Sequence, residues 1–76
     1  MTLADLKKGE LARIRRIHLE GLERRRLLDL GFTPGTEVQL VMKSAFGDPI
    51  AFWVRNTKIA LRKKQAKKIE VEPITQ

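Results

Sequence analysis

Cysteine and tyrosine are absent from the 76 residues, and histidine and serine occur once each, as His18 and Ser44. Without thiols there is no disulfide, no thiolate nucleophile and no sulfur-based zinc site. A serine triad needs Ser, His and a carboxylate held together. Ser44 has no G-x-S-x-G elbow around it, and the five glycines fall in no phosphate-loop or dinucleotide pattern. No apolar run approaches bilayer length, and the N-terminal residues carry no secretory h-region. The expectation is a non-enzymatic protein of the cytoplasm.

Hydrophobic residues make up 42% of the chain, enough for an ordinary globular core and too many for disorder. The length fits a single domain over residues 1–76, with its core between about 3 and 72 and a fraying tail at 73–76. The net charge is +7. Residues 1–35 contribute eight cations and five acids, and residues 36–76 contribute eight and four. The excess is spread along the chain, so there is no separate basic tail. Such a surface attracts acidic partners, whether nucleic acid, an anionic membrane face or an acidic protein, and also keeps a small domain soluble.

Apolar spacing predicts the elements. Leu3 and Leu6 sit three apart and read as a short helical turn. Leu11 to Ile17 reads as a strand with Ala12 and Ile14 inward. Ile17 is out of phase, and a β-bulge near Arg15-Arg16 restores it. Gly21 to Leu30 reads as the one real helix, with Leu27, Leu28 and Leu30 on its apolar face and Arg25 toward solvent. Gly31 is placed as a left-handed cap followed by Phe32, and Pro34-Gly35 marks a turn. Strands follow at Thr36–Met42 (Val38, Leu40 and Met42 on one face), Ile50–Arg55, Lys58–Arg62 and Ile69–Val71. Asn56-Thr57 reads as a tight connection, and Lys63 to Lys67 as one helical turn. Five short strands, one helix after the first strand and tight turns predict a small, partly open, mostly β barrel of SH3-like or OB-like kind.

Few residues carry candidate chemistry. His18, Glu20 and Glu23 are the nearest approach to a metal-ligand set, but they straddle a turn and the reading gives no cofactor. Arg62-Lys63-Lys64 and Lys67-Lys68 form the densest basic run. With Trp53 or Phe46 as a stacking platform, it supports an alternative as a single-strand nucleic-acid binder. By strand parity Trp53 points away from Ile50, Phe52 and Val54, and Phe46 lies in the loop before Asp48-Pro49. Together they predict an apolar docking patch beside Lys43 and Arg55. Asp48 is expected to accept N–H bonds within its own turn.

The segment from Arg26 to Thr36, the run Gly47-Asp48-Pro49-Ile50, and Ile59-Ala60-Leu61-Arg62-Lys63 followed by Ala66 resemble, in order and spacing, the FeoA family of ferrous iron transport proteins. The likeness runs from Leu3 to about Glu72. It implies an SH3-like barrel without catalysis that supports Fe(II) uptake by contacting a FeoB-type membrane transporter, whose cytoplasmic part is a GTPase. It further implies structural roles for Leu27, Leu28, Gly31, Pro34 and Gly35, and a fixed loop at Gly47, Asp48 and Pro49 that faces the partner. Phe46 stands where a leucine is usual in the family and keeps the loop tip apolar. With Phe46, Trp53, Arg25 and Arg55, these loop residues make up the expected partner surface. Direct iron binding and weak self-association stay open.

Overall fold

The computed structural model describes residues 1–74. Five antiparallel strands form one sheet in the order β4-β3-β2-β1-β5. They are β1 Leu11–Ile17, β2 Glu37–Lys43, β3 Ile50–Val54, β4 Thr57–Leu61 and β5 Ile69–Pro73. Helix α1, Gly21–Leu30, joins β1 to β2, and the single turn α2, Lys63–Ala66, joins β4 to β5. A 3-10 turn at Leu3–Asp5 precedes β1. The mostly β architecture with one helix after the first strand is as expected.

The inner face of the sheet carries the core. β3 contributes Ile50, Phe52 and Val54, all buried, and their neighbours across the ladders, Val38, Leu40 and Leu61, are buried too. The open side is closed by Leu3 and Leu6 from the N-terminal segment, by Leu27 and Phe32 from the α1 region, and by Ala66 of α2. Phe32 meets Phe52 edge-to-face, with ring centroids 6.3 Å apart at 87°, a geometry favoured by the ring quadrupoles. Among the described residues no polar or charged residue is buried, so burial costs little desolvation.

Two bulges adjust side-chain parity. The β1–β5 register slips between Ile14 and Arg16, leaving Arg15 as the extra residue. Ile17 thereby returns to the core side opposite Ile69, as the sequence predicts. A second slip, between Leu40 and Met42, makes Val41 the extra residue of β2. It reverses the parity beyond Leu40. Met42 pairs with Ala51 on the outer face and is exposed, so the expectation that Met42 shares a face with Val38 and Leu40 is corrected.

Helix α1 is lightly anchored. Leu27 is its one fully buried side chain. Leu28 is half-buried and Leu30 is exposed, so the predicted apolar face of three leucines narrows to two. The helix ends as expected at Gly31, which has φ 109°. The Gly31 N–H donates to the Leu28 carbonyl and the Phe32 N–H to the Leu27 carbonyl, both at 3.0 Å, the Schellman arrangement. Pro34 and Gly35 shape the next turn, which is stitched to β1 by the Gly35 N–H to the Ile14 carbonyl at 2.7 Å.

The β3–β4 turn is Arg55-Asn56, with φ 47° and 63°, one residue earlier than the Asn56-Thr57 expected. Two positive φ angles in a two-residue loop are the I′ pattern, whose twist matches the flanking strands. At the C-terminal end Pro73 belongs to β5, and the Ile74 N–H donates to the Leu11 carbonyl at 3.1 Å. The expected fraying therefore does not begin at 73. The remainder of that tail, Thr75 and Gln76, lies outside the described residues.

Gly31 and Gly35 separate two costs of adding a side chain. Both have positive φ, but a Cβ on Gly31 would lie 3.2 Å from Val54 Cγ1 and 3.3 Å from Arg55 Cδ, whereas one on Gly35 meets nothing within 4 Å. Gly35→Ala is expected to lose about 1 kcal/mol through backbone strain alone. Gly31→Ala is expected to lose about 2–3 kcal/mol because overpacking adds to that strain. Urea denaturation of both variants checks the difference.

Candidate functional site

The loop between β2 and β3 is rigidly framed and carries a bare aromatic ring. Ser44 Oγ donates to the Asp48 carbonyl at 2.6 Å and accepts the Asp48 N–H at 3.0 Å. The Gly47 N–H donates to the Ser44 carbonyl at 2.9 Å, and Gly47 takes φ 78°. The Ser44 N–H donates to the carbonyl of Pro49, whose ring is exposed. The Asp48 carboxylate does not serve its own turn as expected. Asp48 Oδ1 accepts the Lys63 N–H at 3.0 Å, one of the donors that a helix start leaves without an internal partner. The loop is thus fixed to the start of α2. Phe46, at its tip, is 96% exposed.

Trp53 lies on the outer face of β3 and is 44% exposed. It sits directly opposite Lys58 on β4 and Gln39 on β2. Ala51, two residues back, sits opposite Met42 and Ala60. These outward residues form an apolar strip running from Trp53 through Ala51 and Met42 toward the loop of Phe46. The register places the Met42–Ala51 pair between the Phe46 loop and Trp53. Sequence reasoning missed Met42, because its outward direction depends on a bulge that no residue type marks. Ala60 and Lys58 were within reach, since the turn fixes the register once Arg55-Asn56 is placed.

Arg55 and Arg25 belong elsewhere. Arg55 sits at the far end of β3 from Phe46. Its stem covers Gly31, and its Nη2 donates to Thr33 Oγ1 at 3.3 Å. Arg25 is exposed on α1, where Gly21, Arg24, Arg25, Leu28 and Asp29 line an open furrow of about 390 Å³. Helix α1 leads into the Gly31–Val54–Arg55 contact, so these two arginines mark a second region beyond the strip.

The trio of His18, Glu20 and Glu23 does not assemble. His18 Nε2 lies 3.2 Å from Glu70 Oε1, while Glu23 Oε2 accepts from Gln65 Nε2 at 3.5 Å. Among the described residues no three His, Asp or Glu side chains converge as a metal-ligand group. The physical reason is that β1 leads His18 onto β5, where its backbone N–H also donates to the Lys68 carbonyl at 2.7 Å, while the chain turns away into α1.

The five antiparallel strands and the one short helix define a mostly β domain of SH3-like fold. The FeoA domain model matches residues 1–73, and the chain belongs to the FeoA family of ferrous iron transport. It is 35% identical over 75 residues to an Fe(2+) transport protein A/Fe(2+) transporter FeoB fusion protein of Porphyromonas gingivalis, covering 99% of this chain but 9% of the fusion. The solution structure of iron(II) transport protein A from Clostridium thermocellum superposes with a TM-score of 0.94 at 40% identity, over 97% of this chain and 46% of that one. The crystal structure of zinc-complexed FeoA from Stenotrophomonas maltophilia, described as an SH3 domain protein, gives 0.80 at 36% identity, over 95% and 89%.

The His18–Glu70 contact carries a pH signature. Hydrogen bonding from His18 holds the Glu70 carboxyl below the ordinary glutamate range, burial works against this, and Arg16 adds to the lowering. A carboxyl lowered in the folded state stabilises it above the unfolded value, about 4.3, and that increment is lost as pH falls through the lowered folded value. In His18→Ala the Glu70 carboxyl is expected to titrate nearer the ordinary value. The stability difference from wild type should shrink as acid protonates Glu70. Carboxyl-detected NMR titration measures the first effect and urea midpoints between about pH 2 and 6 the second.

Proposed function

We propose that this chain is a non-catalytic cytoplasmic accessory to a FeoB-type ferrous iron transporter and docks on its GTPase-bearing cytoplasmic part. The observation that carries this reading is Phe46. A large apolar ring is held 96% exposed at the tip of a loop that Ser44 and Asp48 fix from both sides. An aromatic side chain on a rigid mount loses little conformational freedom on binding, which suits an interface anchor. The strip of Met42, Ala51 and Trp53 continues the apolar surface from that tip. Gly47 and Pro49 set the shape of the loop, and Arg25 and Arg55 offer a cationic margin at the other end of the hairpin. The fusion of related domains into one chain in Porphyromonas gingivalis supports association with the transporter.

Phe46→Ala and Trp53→Ala are each expected to weaken binding to the cytoplasmic part of a FeoB-type transporter by roughly tenfold or more, about 1.4 kcal/mol. The fold should be unchanged, because neither ring belongs to the buried core. Calorimetric titration with far-UV circular dichroism as the fold control checks both. Unaltered affinity in the two variants argues against this surface.

A second reading, as a single-strand nucleic-acid binder, is favoured by one observation. From Pro49 to Ile69 the chain carries seven cations and no acid, with Trp53 exposed among them. That reading expects affinity for short oligodeoxythymidylate to fall steeply with salt.

A further inference from the structure

The two edges of the sheet are treated differently. At β5 the N-terminal residues cover the outer edge: the Val71 N–H donates to the Met1 carbonyl at 2.9 Å, and Thr2 bridges Glu70. At β4, among the described residues, no backbone hydrogen bond leaves Thr57–Leu61 other than those to β3. Register shows which groups are free. Val54 and Thr57 flank the two-residue turn, so they exchange the first pair of ladder bonds. Bonding alternates from there, which directs Thr57, Ile59 and Leu61 toward β3 and leaves the N–H and C=O groups of Lys58 and Ala60 pointing outward. Lys58 and Ala60 are both exposed. No proline and no bulge protects this edge, and Lys58 is its one charge, so it lacks most devices that keep strand edges from pairing.

The electrostatics select what pairs there. Arg55, Lys58, Arg62, Lys63, Lys64, Lys67 and Lys68 occupy the stretch from Pro49 to Ile69 without an acid. The three ion pairs of the described residues, Arg13–Glu37, Arg15–Glu72 and His18–Glu70, lie on the β1, β2 and β5 side. Lys63 begins α2 beside the Asp48 carboxylate and Lys68 lies against His18 on the other side, but β4 and its two ends carry Arg55, Lys58 and Arg62 with no acid, so the open edge is cationic. Pairing β4 with β4 of a second copy would set two such cationic stretches side by side, which like-charge repulsion opposes.

We propose that β4 is a strand-addition site for an extended acidic segment of a protein partner, one that alternates carboxylates with β-branched apolar residues. The main-chain groups of Lys58 and Ala60 supply the pairing. Carboxylates of the incoming strand lie beside Lys58 on the outer face, and its apolar side chains lie beside the half-buried Ile59 on the inner one. The inference deepens the transporter-docking reading and rests on it, adding a main-chain contact to the anchors Phe46 and Trp53.

Ala60→Pro removes one outward N–H while keeping the bonds to β3, because proline is tolerated on a strand edge whose N–H faces solvent. Ala60→Ser keeps the N–H and serves as control. Both are titrated against an alternating Glu-Val peptide and against the cytoplasmic part of a FeoB-type transporter. Expected are a tenfold or greater loss of affinity for both ligands in Ala60→Pro, in Ala60→Ser a loss several-fold smaller than that, and slowed hydrogen exchange of the Lys58 and Ala60 amides in the wild-type complexes. The exchange measurement keeps the test valid if Ala60→Pro does not fold. Equal binding by Ala60→Pro, or unchanged exchange at both amides, overturns the strand-addition site while leaving the transporter reading standing. Failure of wild type to bind the transporter part overturns that reading, and the peptide then decides the edge alone. Binding of oligodeoxythymidylate with none of the peptide overturns the proposal in favour of nucleic acid.

Discussion

The alternation of side chains along a strand is the constraint that the rest of this structure obeys. There is one sheet with one buried face, so each strand residue belongs either to the core or to the surface, and a shift of one residue exchanges the two. The bulges at Arg15 and Val41 are where the chain corrects its phase. The first brings Ile17 back beneath the sheet. The second sends Met42 out, beside Ala51 and in line with Trp53. The outer apolar strip therefore follows from the same geometry that fills the core. Phe52, paired edge-to-face with Phe32, ties the centre of the sheet to the segment that follows α1.

The positive excess is spread over both halves of the chain, but the ion pairs of the described residues are not. Glu37, Glu70 and Glu72 meet cationic or histidine partners around β1, while β4 and the arginines at its two ends carry no acid. The exposed pairs contribute little to stability in water. Their effect on the field is local: they offset part of the positive charge around β1, whereas the β4 edge keeps its own, which favours the approach of an acidic surface there.

Much of the fold was legible in the residues because several signals agreed. The strand at Leu11–Ile17 with its bulge, the helix at Gly21–Leu30, its Gly31 cap and the single turn at Lys63 each rest on local chemistry that tertiary context did not override. What was hidden had no local mark. The bulge at Val41 lies in a uniform apolar run, and the direction of Met42 depends on it. Leu30 follows a helical spacing yet faces solvent, because α1 touches the barrel through a narrow stripe around Leu27. The grouping of His18 with Glu20 and Glu23 was drawn from proximity in sequence, whereas strand pairing supplies Glu70 from the far end of the chain. Phe46 and Trp53 were legible as outward residues, but the pair separating them was not.

The carboxylate of Asp48 holds the Phe46 loop against the first turn of α2 through a single hydrogen bond to Lys63. A ligand that pulls the loop away takes an acceptor from the start of α2, and one that displaces α2 removes a restraint from the loop. Any ligand that breaks this bond at the aromatic tip or at the lysine-rich turn thereby changes the cost of engaging the other, and by reciprocity that influence is equal in both directions.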